Sequence, residues 1–235
     1  MQEQPALIAA ATALLGLCVG FYLHADLASR GISARALIGL ESESPSVPTL
    51  PLYSLLLEPV YAGLPRHATI VMFGDSITAL TDWNALLPSF DVANRGIPGD
   101  TTEGALERTS NIIAMHPQCV PVMLGINDVL AKRNVQQLLQ NYSAIVDRLS
   151  ASGSTVIVQS TLVTSNASLN ASVIDVNQSL AEMCRRSGRC LYLDLNPTVA
   201  STGAIADSMD GMHLGPNSYK IWASTLSPLL NANCR

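Results

Sequence analysis

The sequence predicts an α/β protein whose parallel sheet is covered by helices on both faces. From Ala68 onward, short apolar strands alternate with amphipathic helical patterns, which is the order typical of a parallel sheet. The strands are nearly continuous apolar runs, as expected when both faces of a strand are buried. Because crossovers between parallel strands are right-handed, the carboxyl ends of all strands should lie at one edge. The predicted strands are residues 68–73, 90–94, 120–124, 154–159 and 190–195.

Residues 1–25 contain an apolar segment that predicts a membrane anchor or a signal segment. Pro5–Leu23 is nineteen residues without a charge, which is long enough to span a bilayer at ~1.5 Å per residue. Met1-Gln2-Glu3-Gln4 lacks the basic residues of a signal peptide, so we favour an uncleaved anchor helix. A buried soluble helix is disfavoured because the run is apolar on every side.

Two observations disagree about which side of the membrane the rest of the chain faces. Arg30 and Arg35 follow the apolar segment and nothing basic precedes it, which favours a cytoplasmic domain by the positive-inside rule. A possible cysteine pair favours the opposite side. We expect an extracytoplasmic domain.

Residues 26–66 are predicted to form a linker and a strap, followed by the main domain at 67–235. Glu41–Pro51 is rich in serine and proline, as linkers are. Leu52–Leu64 is apolar but interrupted by Pro59 and Gly63. We expect it to pack on the domain as a strap rather than to form a lid.

Amphipathic patterns predict three helices between the strands and a fourth near the carboxyl terminus. Asp100 and Glu103 have the spacing of a capping box at the start of the first helix. The last helix follows Pro216. The apolar positions are Ala105, Leu106, Thr109, Ile112 and Ile113 in the first, Leu138, Leu139, Tyr142, Ile145, Val146 and Leu149 in the second, Leu169, Val173, Val176, Leu180 and Met183 in the third, and Trp222 and Leu226 in the fourth.

Composition and motifs exclude several classes of partner. The chain has 13 basic and 18 acidic residues, for a net charge of −5, and no basic cluster that would suit a nucleic acid. It has no glycine-rich phosphate-binding motif. The cysteines lack CxxC spacing and the four histidines form no HxxxH pair, so we expect neither a metal site nor a cofactor. Cys184 and Cys190 are equally compatible with a small disulfide loop and with reduced thiols.

Polar residues follow the predicted strands at the edge where their carboxyl ends should meet. Ser76 follows the first strand, and Asp210 and His213 follow the fifth beyond a loop. A serine nucleophile needs a base, for which His213 is suited, and Asp210 can orient that imidazole.

The same edge offers donors for an oxyanion hole. These are the backbone N–H groups of Ser76 and Gly99 and the side-chain amide of Asn127, which follow the first, second and third strands. Asp207 is an alternative to Asp210 as the partner of the histidine, but its spacing is less favourable. Asp75 and Asp128 are expected to support turns rather than to react.

Four segments resemble the conserved blocks of the SGNH (GDSL) hydrolases, in the order of that family and over residues 68–231. The resemblance implies a flavodoxin-like three-layer α/β/α sandwich and metal-independent esterase or lipase chemistry. It also implies an oxyanion hole of Ser76, Gly99 and Asn127. The residues after Gly99 are most similar to the platelet-activating-factor-acetylhydrolase and small-acyl esterase branch, although Pro98 stands where many relatives have a small residue. The segments are Gly74-Asp75-Ser76, Asn94-Arg95-Gly96-Ile97-Pro98-Gly99-Asp100, Gly125-Ile126-Asn127-Asp128 and Asp210-Gly211-Met212-His213.

We therefore predict a serine esterase that cleaves a short acyl ester through an acyl-Ser76 intermediate. Its substrates would be O-acetylated carbohydrates or esters similar to lysophospholipids. Two alternatives stay open: an acyltransferase that uses the same acyl-enzyme, and a catalytically idle binding module. Retention of Ser76, Asn127 and His213 argues against the idle module.

Overall fold

The computed structural model describes residues 52–63 and 67–234. The predicted membrane segment of residues 1–25 and most of the predicted linker lie outside these residues. Within the described part of the chain, no helix combines the length and the apolar character that crossing a membrane requires.

Five parallel strands form one sheet, as the sequence predicts. They are β1 (Ile70–Gly74), β2 (Val92–Gly96), β3 (Cys119–Met123), β4 (Thr155–Gln159) and β5 (Cys190–Leu193). Their order in the sheet is β2-β1-β3-β4-β5, with every neighbouring pair parallel. This is the flavodoxin-like order, in which successive strands are added on one side of β1 and then on the other. Ligands bind at this switch point between β1 and β3. Every residue of β1 and β3 is buried, so apolar runs were the correct signal for these strands.

Helices pack on both faces of the sheet. The helices of the described residues are α1 (Leu52–Gly63), α2 (Ser76–Ala79), α3 (Trp83–Leu86), α4 (Thr102–Glu107), α5 (Thr109–Ile113), α6 (Ile126–Leu130), α7 (Val135–Ala151), α8 (Ala167–Ser187), α9 (Asn196–Val199) and α10 (Pro216–Asn233). α7 contacts α4, α5 and α8, whereas α10 contacts α3 and α9. These two groups cover opposite faces, as right-handed crossovers require.

The first amphipathic pattern differs from the prediction in two ways. It forms two short helices, α4 and α5, because the chain bends at Arg108 and turns that side chain inward. The predicted capping box is wrong. Thr101 is the N-cap of α4, its hydroxyl accepting from Gly104 N, because the Asp100 carboxylate is instead engaged by Arg108 Nε at 2.7 Å.

α1 forms a helix in spite of Pro59, and it contacts the main domain near the end of β2. The guanidinium of Arg95 lies 4.5 Å from the centre of the Tyr61 ring. The Tyr61 hydroxyl donates to the backbone oxygen of Gly96 at 3.4 Å. These two contacts join Tyr61 of α1 to the end of β2.

The four cysteines of the described chain form two disulfides. Cys184 and Cys190 close the small loop that the sequence allowed. The second disulfide joins Cys119, at the start of β3, to Cys234 after α10, across 115 residues. It ties the end of the last helix to the centre of the sheet.

Candidate active site

Ser76 lies where β1 passes without a loop into α2. Asp75 is the N-cap of this short helix, and its carboxylate accepts from the backbone N–H of Ile77 at 2.9 Å. The turn requires glycine before it, because a Cβ at Gly74 would lie 2.5 Å from the backbone oxygen of Met123. The sharp turn presents Ser76 at the carboxyl edge of the sheet.

The structure brings Ser76, His213 and Asp210 into one hydrogen-bonded chain. Ser76 Oγ lies 2.9 Å from His213 Nε2, and His213 Nδ1 lies 2.6 Å from Asp210 Oδ2. A carboxylate accepts a hydrogen bond from Nδ1–H, which leaves Nε2 as the acceptor that faces the serine hydroxyl. The arrangement can therefore deprotonate Ser76.

A compact loop before α10 orients the histidine and its acidic partner. Asp210 Oδ1 accepts from the backbone N–H groups of Met212 at 3.0 Å and His213 at 2.7 Å. Ser208 Oγ donates to His213 O at 2.8 Å, which closes the loop. Asp207 makes no hydrogen bond to the imidazole of His213. Its carboxylate accepts from Asn217 N at the start of α10 and so caps that helix.

Hydrogen bonding holds the pKa of Asp210 below its usual value. Burial acts in the opposite direction and is the largest single influence. The backbone and ring N–H groups of His213 and the backbone N–H of Met212 together outweigh it. The Asp210 side chain is 53% exposed and that of His213 is 17% exposed. Asp210 is therefore ionised whenever the imidazole must be stabilised as a cation.

Gly99 lies in a tight turn that follows β2. The Asp100 N–H donates to Ile97 O at 3.1 Å, and Gly99 has a φ of +77°. Proline at the second position and glycine at the third are the residues that a type II turn favours. Pro98 thus fits this turn, whose own hydrogen bond uses the Asp100 N–H and not that of Gly99.

Asn127 lies at the first turn of α6, directly after β3. Its Nδ2 donates to the backbone oxygen of Asp100 at 2.8 Å. An amide nitrogen carries two protons, so one fixes the orientation of the side chain and the other can serve a substrate oxygen. Asp128 next to it accepts from Thr102 N and Thr102 Oγ1 at 3.0 and 2.8 Å, which joins α6 to α4. Both aspartates expected to support turns, Asp75 and Asp128, have such contacts.

Three side chains to which the sequence assigned no role hold the helix of the nucleophile in place. The Tyr219 hydroxyl donates to Ile77 O at 2.7 Å, and Trp83 Nε1 donates to Thr78 O at 2.9 Å. Asn94 Nδ2 also donates to Thr78 O, at 3.1 Å. The polar ends of Tyr and Trp usually find a partner when buried, but nothing in the sequence indicates which backbone oxygen they reach.

No group of three or more His, Cys, Asp and Glu side chains suited to a metal ion occurs among the residues that the structure describes.

A sequence profile of the GDSL-like lipase/acylhydrolase family matches residues 72–221. This match covers well over half of the chain and includes Ser76, Gly99, Asn127, Asp210 and His213. A comparison with curated proteins finds no match.

Solved structures of the same fold include several hydrolases. A Streptococcus pneumoniae protein provisionally described as a platelet activating factor has a TM-score of 0.69 at 19% identity, over 76% of this chain and 93% of that one. A GDSL-like lipase from Bacteroides thetaiotaomicron has a TM-score of 0.64 at 18% identity, over 76% and 97%. A variant of an acetyl-xylooligosaccharide esterase from Geobacillus stearothermophilus has a TM-score of 0.59 at 18% identity, over 71% and 94%. At these identities the similarity is one of fold.

Proposed function

Because the chain belongs to the GDSL-like lipase/acylhydrolase family, we propose that it hydrolyses a carboxylic ester with Ser76 as its nucleophile. The observation that carries this proposal is the bond of 2.9 Å between Ser76 Oγ and His213 Nε2. A serine hydroxyl is a weak nucleophile unless a base takes its proton.

The reaction would proceed in two acyl-transfer steps. His213 accepts the proton of Ser76 as Oγ attacks the ester carbonyl, and Asp210 stabilises the imidazolium that forms. The tetrahedral oxyanion accepts from Ser76 N, Gly99 N and Asn127 Nδ2. His213 then protonates the departing alcohol, which leaves acyl-Ser76. A water molecule then gives a proton to His213 and attacks the acyl carbonyl. The bond to Ser76 Oγ breaks, Oγ takes the proton back from His213, and the acid is released.

We propose a short acyl group on a larger alcohol as the substrate. The partial exposure of His213 and Asp210 suits a site that is open toward a bulky alcohol. One of the structural neighbours is an acetyl-xylooligosaccharide esterase, which supports an O-acetylated carbohydrate as the first candidate.

Apolar side chains near the site favour a second candidate, an amphiphilic ester similar to a lysophospholipid. Leu80 follows α2, Leu130 ends α6, and Met209 precedes Asp210. These side chains are exposed by 51%, 43% and 62%. Each is within four residues in sequence of a proposed catalytic or oxyanion residue, and Met209 N donates to His213 O at 3.0 Å.

A panel of p-nitrophenyl esters of rising acyl length tests the proposal. We expect kcat/KM to be highest for acetyl or butyryl esters and to be lost in Ser76→Ala with an unchanged melting temperature. A rate that rises steadily to long chains would contradict the short-acyl substrate. Adding a nucleophilic alcohol tests acyl transfer, because a transferase would form a new ester at the expense of free acid.

The two disulfides support an extracytoplasmic location, with the membrane reached through the predicted anchor at residues 1–25. Disulfides persist in oxidising compartments and are rare in the cytosol, and the structure pairs Cys119 with Cys234 and Cys184 with Cys190. Alkylation of the cysteines of the protein in intact cells, before and after reduction, would test this. Reaction of Cys119, Cys184, Cys190 and Cys234 without reduction would contradict it.

A further inference from the structure

A buried guanidinium contacts the segments of chain that carry the proposed oxyanion donors. Arg108 is 3% exposed and lies at the break between α4 and α5. Its Nη2 donates to Gly74 O and its Nη1 to Arg95 O, both at 2.9 Å. Its Nε donates to Asp100 Oδ2 at 2.7 Å. One planar group thus joins the last residue of β1, the end of β2 and the loop that follows β2.

Each of these three segments adjoins a proposed oxyanion donor. Gly74 O lies two residues before Ser76, and it also accepts from Ile97 N at 3.0 Å. Asp100 follows Gly99 directly and donates the hydrogen bond of its turn. The backbone oxygen of Asp100 is the acceptor that orients Asn127 Nδ2.

We propose that Arg108, through its pairing with Asp100, is a positioning residue that sets the relative geometry of the three oxyanion donors. The inference rests on the proposed function, because it assigns a role within that oxyanion hole. Arginine suits this task better than lysine, since its donors have a fixed planar arrangement that can hold three acceptors at once. A lysine ammonium would keep the charge beside Asp100 but not the fork that reaches Gly74 O and Arg95 O.

Arg108→Lys is the test, with Asp100→Asn as a second variant that keeps the shape of the carboxylate. A displacement of about 1 Å in a catalytic group costs on the order of 10²-fold in rate. We therefore expect Arg108→Lys to lower kcat about 10²-fold with KM within about twofold. The pH dependence of kcat/KM should keep its wild-type shape, because the His213–Asp210 pair is untouched.

A double-mutant cycle with Asn127→Ala separates positioning from general stability. If Arg108 acts through the orientation of Asn127, its replacement should cost much less in a chain that already lacks the amide. Arg148→Lys is the matched control, because the exposed Arg148 also donates to a backbone oxygen, that of Leu106 at 3.0 Å. It should leave kcat and KM at wild-type values.

The outcomes distinguish this proposal from the function on which it rests. An active Ser76→Ala variant would overturn the proposed function itself. An inactive Ser76→Ala together with a normal kcat in folded Arg108→Lys would overturn only the positioning role. The positioning role would also be overturned if the losses in kcat of Arg108→Lys and Asn127→Ala multiplied fully in the double mutant. Failure of both Arg108→Lys and Asp100→Asn to fold would overturn it as well, since the pair would then serve stability alone.

Discussion

The carboxyl group of Asp75 should make the folded protein less stable as the pH rises. Asp75 is 1% exposed, and burial, reinforced by the negative charges of Asp100 and Asp128, raises its pKa from the ordinary 3.8 to about 7. The bond from Ile77 N and the charge of Arg108 oppose this rise without cancelling it. Between these two pH values the folded chain holds a proton that the unfolded chain has released.

The sign and size of the effect follow from proton linkage. Because the folded state binds more protons, the free energy of unfolding falls by about 1.4 kcal/mol per pH unit from about pH 4 to about pH 7 and levels off above. The shift from 3.8 to about 7 corresponds to about 4 kcal/mol in total. Asp75→Asn removes the titration but keeps an oxygen that can cap Ile77 N, since Asn and Asp are comparable N-caps.

Urea denaturation of wild type and Asp75→Asn from pH 4.5 to pH 8 measures this effect. The stability of Asp75→Asn relative to wild type should increase with pH, by most of the roughly 4 kcal/mol over that range. Asp82→Asn is the control, because Asp82 caps α3 in an exposed position. A difference between wild type and Asp75→Asn that is constant with pH would refute this account of the buried carboxyl.

Three further predictions concern the proposed site and the long-range disulfide. Asn127→Ala should raise the activation barrier by about 2.7–4 kcal/mol, and so lower kcat, with KM almost unchanged. Asn127→Asp should be at least as harmful, because it sets an acceptor against the oxyanion. Near-normal turnover by Asn127→Asp would remove the residue from the oxyanion hole. Asp210→Asn should lower kcat by about 10⁴-fold through the wrong imidazole tautomer, and a loss below tenfold in folded protein would contradict its role. Replacing Cys119 and Cys234 by serine should lower the unfolding free energy by about 4.8 kcal/mol at 25 °C, from the loss of a loop closed across 115 residues, and an unchanged denaturation midpoint would contradict that value.

The fold could be predicted because its signals are local and repeated. Four of the five strands are largely apolar runs, and the ends of all five lie within two residues of the predicted positions. Parallel connectivity then fixes the edge at which Ser76 and His213 meet. Ser76 and His213 are 137 residues apart in the sequence. Predicting their contact nevertheless required only this rule and the chemistry of the two side chains.

The features that escaped prediction depend on contacts between distant segments. Arg108 falls within an amphipathic pattern, so nothing local indicates that it turns inward and ends α4. Cys119 and Cys234 are separated by 115 residues and share no motif. The N-cap of α4 is Thr101 and not the predicted Asp100, because the ion pair of Asp100 with Arg108 competes with the local cap. In each case tertiary structure overrode a local preference.

The most direct test of the central claim is to trap the acyl-enzyme and locate it. The protein would be mixed with a p-nitrophenyl ester of a short acid, quenched in acid within the first turnovers, digested and analysed by mass spectrometry. We predict the mass of one acyl group on the peptide that contains Ser76, with no such adduct in Ser76→Ala. Turnover at the wild-type rate by Ser76→Ala, or an acyl group on a different residue of an active enzyme, would contradict the account.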